Sequence, residues 1–303
     1  MIKKLEKYIS FVLVLLVAFL LVGCNGSNEV DKQGDNAQNN QQNNNETNDK
    51  EKENNEDKPK VENVVTHETY NIMVGTTLET EVHVYTSSIE GPTIFIMGGT
   101  HGDEVAGWKT AEKLLTPEYY ESFIGKVIVV PYANKLGVQL QQRYPGVSTS
   151  GMYDGVKYSD LNRAFPGDEN GTLTEQLAYA LCAEVRKYNP KYVVDLHESR
   201  GSYSTDDTGK YKLGNQLLYA NGKSALLCDD ILEIYNSEYL EDGDTRFNQE
   251  GPGVEGSFNA YVGTELKLYE FTIETNRQLA LEKRVKQQLN VLKILFKYAW
   301  NEE

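Results

Sequence analysis

Cysteine is scarce, with three in 303 residues, which excludes the disulfide frameworks that hold small secreted domains together. Histidine is nearly as scarce, at four. Positive charge is also short: 30 Lys and Arg stand against 45 Asp and Glu, a formal balance of −15 that argues against a nucleic-acid partner. The apolar run from Ile9 to Val22 is too short for a comfortable membrane span. From Asn25 to Lys60 apolar residues almost vanish among Asn, Gln, Asp, Glu, Lys and Gly. Such a segment cannot bury enough surface to offset its chain entropy, so disorder is expected there. No internal repeat is apparent.

What is present begins with Lys3 and Lys4, the short apolar run and a small-residue exit, the pattern of a secretory signal over residues 1–23. The exit Leu21-Val22-Gly23-Cys24 resembles the lipobox of bacterial lipoproteins. That resemblance implies cleavage before Cys24 and diacylation of its thiol, with a signal anchor and an incidental cysteine as the alternative. Residues 24–60 then read as a tether. The expected location is a bacterial cell membrane, lipid-anchored, with the domain on the extracytoplasmic side. Cys182 and Cys228 fall in helix-like patterns and are expected as buried free thiols, although one bridge is possible in an exported protein.

Residues 61–303 have the length of one α/β domain. Alternation over 68–86 predicts an antiparallel pair. Apolar strands are expected at 93–98, 126–130, 192–197 and 268–274, with a shorter one at 217–220. Helices are expected at 103–115, 173–188, 224–239 and 279–300. The stretches 134–171 and 243–256 read as loops. Buried strands alternating with helices predict a three-layer α/β/α domain around a mixed, largely parallel twisted sheet. In such sheets chemistry gathers beyond the carboxyl ends of the strands, where His101, His197 and Glu274 fall.

A catalytic zinc commonly takes three protein ligands and leaves a position for water. In Gly98-Gly99-Thr100-His101-Gly102-Asp103-Glu104, His101 and Glu104 are three apart at a helix entrance and can face one point. Alone that spacing is at chance level; His197, on another strand, would complete a His, Glu, His set. A lone strand-end histidine is more often structural. In Asp160-Leu161-Asn162-Arg163-Ala164-Phe165-Pro166-Gly167, Asn162 and Arg163 suit a carboxylate, and Asp160 suits the spare N–H of a ligating histidine. A polar turn closed by Pro-Gly explains the octapeptide equally well. Strand parity puts Asp195 and His197 on one face, and Glu270, Thr272 and Glu274 on one face. Glu274 is the better candidate for a base and Glu270 the runner-up.

These two segments, with Val193-Val194-Asp195-Leu196-His197-Glu198-Ser199 and Phe271-Thr272-Ile273-Glu274-Thr275, together resemble the zinc carboxypeptidase superfamily. Within it they are most similar to the succinylglutamate desuccinylase/aspartoacylase branch. The resemblance implies one zinc ion per chain held by His101, Glu104 and His197, with Glu274 as general acid/base. It also implies carboxylate binding by Asn162 and Arg163, and Arg143 is the natural match for a second family arginine. Tyr261 is a poor positional match for the superfamily's loop tyrosine and receives no role. The implied substrates are a small peptide, a cell-wall stem peptide or an N-acyl amino acid. An extracytoplasmic location favours the peptides, and a non-catalytic binding lipoprotein of the same fold is the rival reading.

Overall fold

The strand over Tyr192–Ser199 is buried at every position, as a strand covered on both faces is, and it opens on the apolar run Tyr192-Val193-Val194. It lies near the middle of an eight-stranded sheet in the computed structural model. The structure describes residues 62–120, 123–144, 152–201, 204–205, 211–212, 214–242 and 244–301. The expected leader, Cys24 and the tether lie outside the described residues.

In chain order the sheet strands are β1 (Val65–Ile72), β2 (Thr80–Ser87), β3 (Thr93–Gly98), β4 (Lys126–Val130), β5 (Tyr192–Ser199), β6 (Gln216–Leu218), β7 (Asn248–Glu250) and β8 (Tyr269–Asn276). The principal helices are α1 (Val105–Lys113), α2 (Lys135–Leu140), α3 (Leu173–Tyr188), α4 (Gly222–Ile234) and α5 (Leu281–Trp300). Across the sheet the order is β1-β2-β4-β3-β5-β8-β6-β7. The central strands β4, β3, β5 and β8 run parallel, while β1, β2 and β6 pair antiparallel with their inner neighbours.

Two apolar layers close the sandwich. On one face Ala111 of α1, Leu227 and Ile231 of α4, and Val291 and Leu295 of α5 pack on Ile94, Val127, Val194 and Phe271. On the other face Leu136 of α2 and Leu177 and Leu181 of α3 cover Phe95, Met97, Ile128 and Val193. The three-layer α/β/α expectation with a mixed sheet therefore holds. Cys182 and Cys228 are buried free thiols.

The differences are local. Helix α1 begins two residues later than expected, because 99–104 is used as a turn. Helix α4 ends at Ile234 and gives way to a wider helical turn over Tyr235–Tyr239. Helix α2 and strand β7 occupy stretches read as loops. Strands β5 and β8 each run two residues past His197 and Glu274, since pairing continues to Asn276 opposite Ser199. Those two side chains thus project from within strands.

Candidate active site

At the end of β3 the chain turns through Gly99, whose φ of +72° favours glycine. Gly102 then lies against the backbone of α2: a Cβ there would stand 1.9 Å from the Gly137 carbonyl carbon. The turn so closed brings His101 Nδ1 to 2.8 Å from Glu104 Oε1. His197, from β5, reaches the same carboxylate, with Nδ1 2.7 Å from Glu104 Oε2. All three residues are buried, and one ligand atom from each lies within 4.8 Å of the others.

The remaining ring nitrogens are held from behind. His101 Nε2 is 3.0 Å from Asp160 Oδ1, and His197 Nε2 is 2.8 Å from Asp195 Oδ2. Asp195 is itself fixed by Thr100, whose hydroxyl donates at 3.0 Å, and Asp160 by Arg143, whose Nε donates at 2.9 Å. A carboxylate on each Nε2 selects the tautomer with its proton there and leaves the Nδ1 lone pair facing Glu104. Two lone pairs and a carboxylate at these distances repel unless positive charge lies among them. Two imidazoles and a carboxylate are a donor set that fits a divalent transition ion.

The protonation tendencies agree. Burial pulls His101 down, but Glu104 and Asp160 outweigh it and raise its pKa. His197 is driven well above its usual value, the Asp195 and Glu104 charges overcoming burial. Glu104, which burial alone would push up, is held well below the carboxylate range by the two imidazoles. Each group is pulled toward its charged form, which fits a cation at the centre of the cluster.

Glu274 sits opposite His197 in the β8–β5 register. Burial, then the neighbouring Glu104 charge, pushes its pKa up to about 8. Its Oε2 is buried with no hydrogen-bond partner among the described residues. Glu270, the runner-up, is fully engaged instead: Ala220 N–H donates to Oε1 at 2.7 Å and Asn259 Nδ2 to Oε2 at 2.5 Å. It is a structural clamp.

A cavity of about 470 Å³ opens over this cluster, lined also by Arg143, Asn162, Arg163 and Arg200. Asn162 and Arg163 sit on a single 3-10 turn, Leu161–Arg163, capped by Asp160, which accepts from Asn162 N–H at 3.0 Å. The octapeptide is thus a capped polar turn, and the same turn lines the cavity. Asn162 Oδ1 accepts from Phe258 N–H at 3.0 Å, and its amide NH₂ has no partner among the described residues. Tyr261 bonds Arg186 at 3.0 Å and does not line the cavity.

Sequence reasoning missed the outer ring of Glu104. Glu198 N–H donates to its Oε2 at 2.9 Å, and Arg277 lies 3.5 Å from Oε1 while bonding Asp103 at 3.0 Å. The only signal for Arg277 was its place just beyond the strand that carries Glu274. Arg200 follows β5 in the same way.

Sheet and site together define an α/β/α domain built around a buried histidine–carboxylate cluster. The chain belongs to the succinylglutamate desuccinylase/aspartoacylase catalytic domain family, whose model matches residues 90–280. It is 40% identical over 89 residues to the N-alpha-acetyl-L-2,4-diaminobutyric acid deacetylase of Halomonas elongata. That match spans 29% of this chain and 23% of the deacetylase. Among solved structures, a succinylglutamate desuccinylase from a Silicibacter species matches with TM-score 0.53 and 22% identity, over 77% of this chain and 67% of that one. The cell shape determinant protein of Helicobacter pylori, a D,L-carboxypeptidase, matches with TM-score 0.54 and 18% identity, over 69% of this chain and 51% of that one. At these identities the structures establish the fold.

Proposed function

We propose that this domain is a zinc-dependent hydrolase of amide bonds next to a free carboxylate, acting on peptide termini or N-acyl amino acids. The observation that carries the reading is Glu274, a buried carboxylate with an unpartnered oxygen beside His101, Glu104 and His197. The deacetylase and carboxypeptidase named above both cleave such amides, which supports the reaction class.

His101, Glu104 and His197 would hold the zinc ion, which when bound acidifies water and polarises a carbonyl. Glu274 takes the proton from the attacking water and returns it to the leaving amine, one group serving in turn as base and acid. Asn162 and Arg163 hold the free carboxylate and so set which bond is presented. The Arg143 guanidinium, aimed by Asp160, stabilises the developing oxyanion. Asp160 and Asp195 keep both imidazoles in the required tautomer. With Cys24 acylated, the enzyme works at the outer face of a bacterial cell membrane, where peptides and cell-wall stem peptides are the accessible amides.

The test is a panel of short peptides, stem peptides and N-acyl amino acids with wild type and Glu274→Gln. Glu274→Gln is expected to keep its metal and lose activity by about 10²–10⁴-fold. Release of acyl groups alone, never amino acids, would eliminate the peptide arm. Metal binding without turnover on any substrate would overturn the enzyme reading in favour of a binding protein.

A further inference from the structure

Two of the four histidines lie outside the central cluster, and both stand on the same face of the β1–β2 ladder. His67 is opposite Tyr85, and Thr69 is opposite His83. His67 Nε2 is 3.1 Å from His83 Nδ1. The Thr69 hydroxyl is 3.3 Å from the first nitrogen and 3.2 Å from the second. Three donor atoms therefore form a nearly equilateral triangle. Ligand atoms about 2.0–2.1 Å from a four-coordinate ion stand roughly 3.3 Å apart, so this triangle has the size of one face of its coordination shell.

Both rings are held in place independently of each other. His67 stacks on Tyr85, with centroids 4.1 Å apart and planes 4° from parallel. His83 Nε2 is 3.3 Å from Glu81 Oε2, and Lys135 Nζ holds the other Glu81 oxygen at 2.8 Å. A carboxylate on Nε2 puts the proton there and frees the Nδ1 lone pair toward the triangle. His83 and Glu81 thus reproduce the carboxylate–histidine pairing of Asp195 with His197. In that tautomer His83 Nδ1 can accept from both His67 Nε2 and the Thr69 hydroxyl. His67 and Thr69 are exposed, so the open side of the triangle faces solvent.

We propose a second metal site here: His67, His83 and the Thr69 hydroxyl bind a borderline divalent ion, Zn²⁺ or Cu²⁺, with solvent completing the shell. Imidazole nitrogen suits these ions, and Cu²⁺ binds the more tightly of the two. The ion bridges β1 and β2 and is separated from the β3 site by β4.

The experiment uses metal-free full chain. Zn²⁺ titration by calorimetry is expected to show two equivalents in wild type and one in His67→Gln and in His83→Gln, with circular dichroism confirming that each variant is folded. Protein first loaded with one equivalent of Zn²⁺ and then given Cu²⁺ is expected to show a two-nitrogen hyperfine pattern by electron paramagnetic resonance, lost in both variants. A second equivalent that persists in both variants overturns the proposal. If wild type binds a single equivalent, its loss in His101→Gln but not in His67→Gln overturns this site. The reverse pattern upholds this site and overturns the central one. Hydrolysis is expected to be unchanged in His67→Gln.

Discussion

Asp160 and Asp195 reach their histidines from different places, one from a loop turn and one from two residues earlier on the same strand. Both set a tautomer, so Asp160→Asn and Asp195→Asn are each expected to weaken zinc by about 10–100-fold, read by competition with a chromophoric chelator. The Asp195 change should also lower stability, because its other oxygen accepts from buried Thr100. Glu270 offers a pH test away from the metal. Burial outweighs its N–H partners and pushes its pKa from 4.5 to about 8. A carboxyl raised in the fold contributes its stability fully below pH 4.5, and that contribution is lost as pH rises to 8. Glu270→Gln has no proton to lose, so its stability relative to wild type is expected to grow across that window. Urea denaturation at pH 5 and pH 8 reads the change; an offset independent of pH would remove this account. Side-chain parity put Glu270 and Glu274 on one face, and the sequence only ranked Glu274 first. In the fold their neighbours separate them, and those neighbours come from 220, 259 and 197.

Helix α3 announces itself through Thr172 and Glu175, which form a reciprocal capping box. Thr172→Ala is expected to cost about 1 kcal/mol in thermal or denaturant unfolding. The turn between β3 and α1 is less forgiving. Gly102→Ala drives a methyl into the Gly137 backbone, which is expected to cost about 1–3 kcal/mol and to weaken zinc as well, since His101 and Glu104 flank it. Equal metal affinity in Gly102→Ala would show that the close approach does not shape the site. Long strands and helices were legible because burial imposes their apolar periods. Helix α2 was not: six residues with Gly137 inside give too little period to detect. Strand β7, Asn248–Glu250, has no apolar residue, and it is a strand only because it pairs with β6.

Across the whole domain, the parallel strands β3, β5 and β8 deliver groups from residues 101, 197 and 274 to one cavity. Without an ion that cavity concentrates acceptors and buried carboxyls, so metal removal is expected to lower the melting temperature as well as abolish hydrolysis. Zn²⁺ binding to the folded state alone restores both by mass action. Scanning calorimetry on His67→Gln, with chelator and then with Zn²⁺, isolates the central site; unchanged melting in both would overturn its role. The sequence by itself determined the strand and helix alternation and the buried thiols, because apolar period is a local property, whereas His101, Glu104 and His197 were grouped only by the family resemblance. Tertiary structure alone decided which carboxylate is free to act, which arginines ring Glu104, and that His67 and His83 meet. Those facts depend on sheet order and register, which bring together residues distant in the chain.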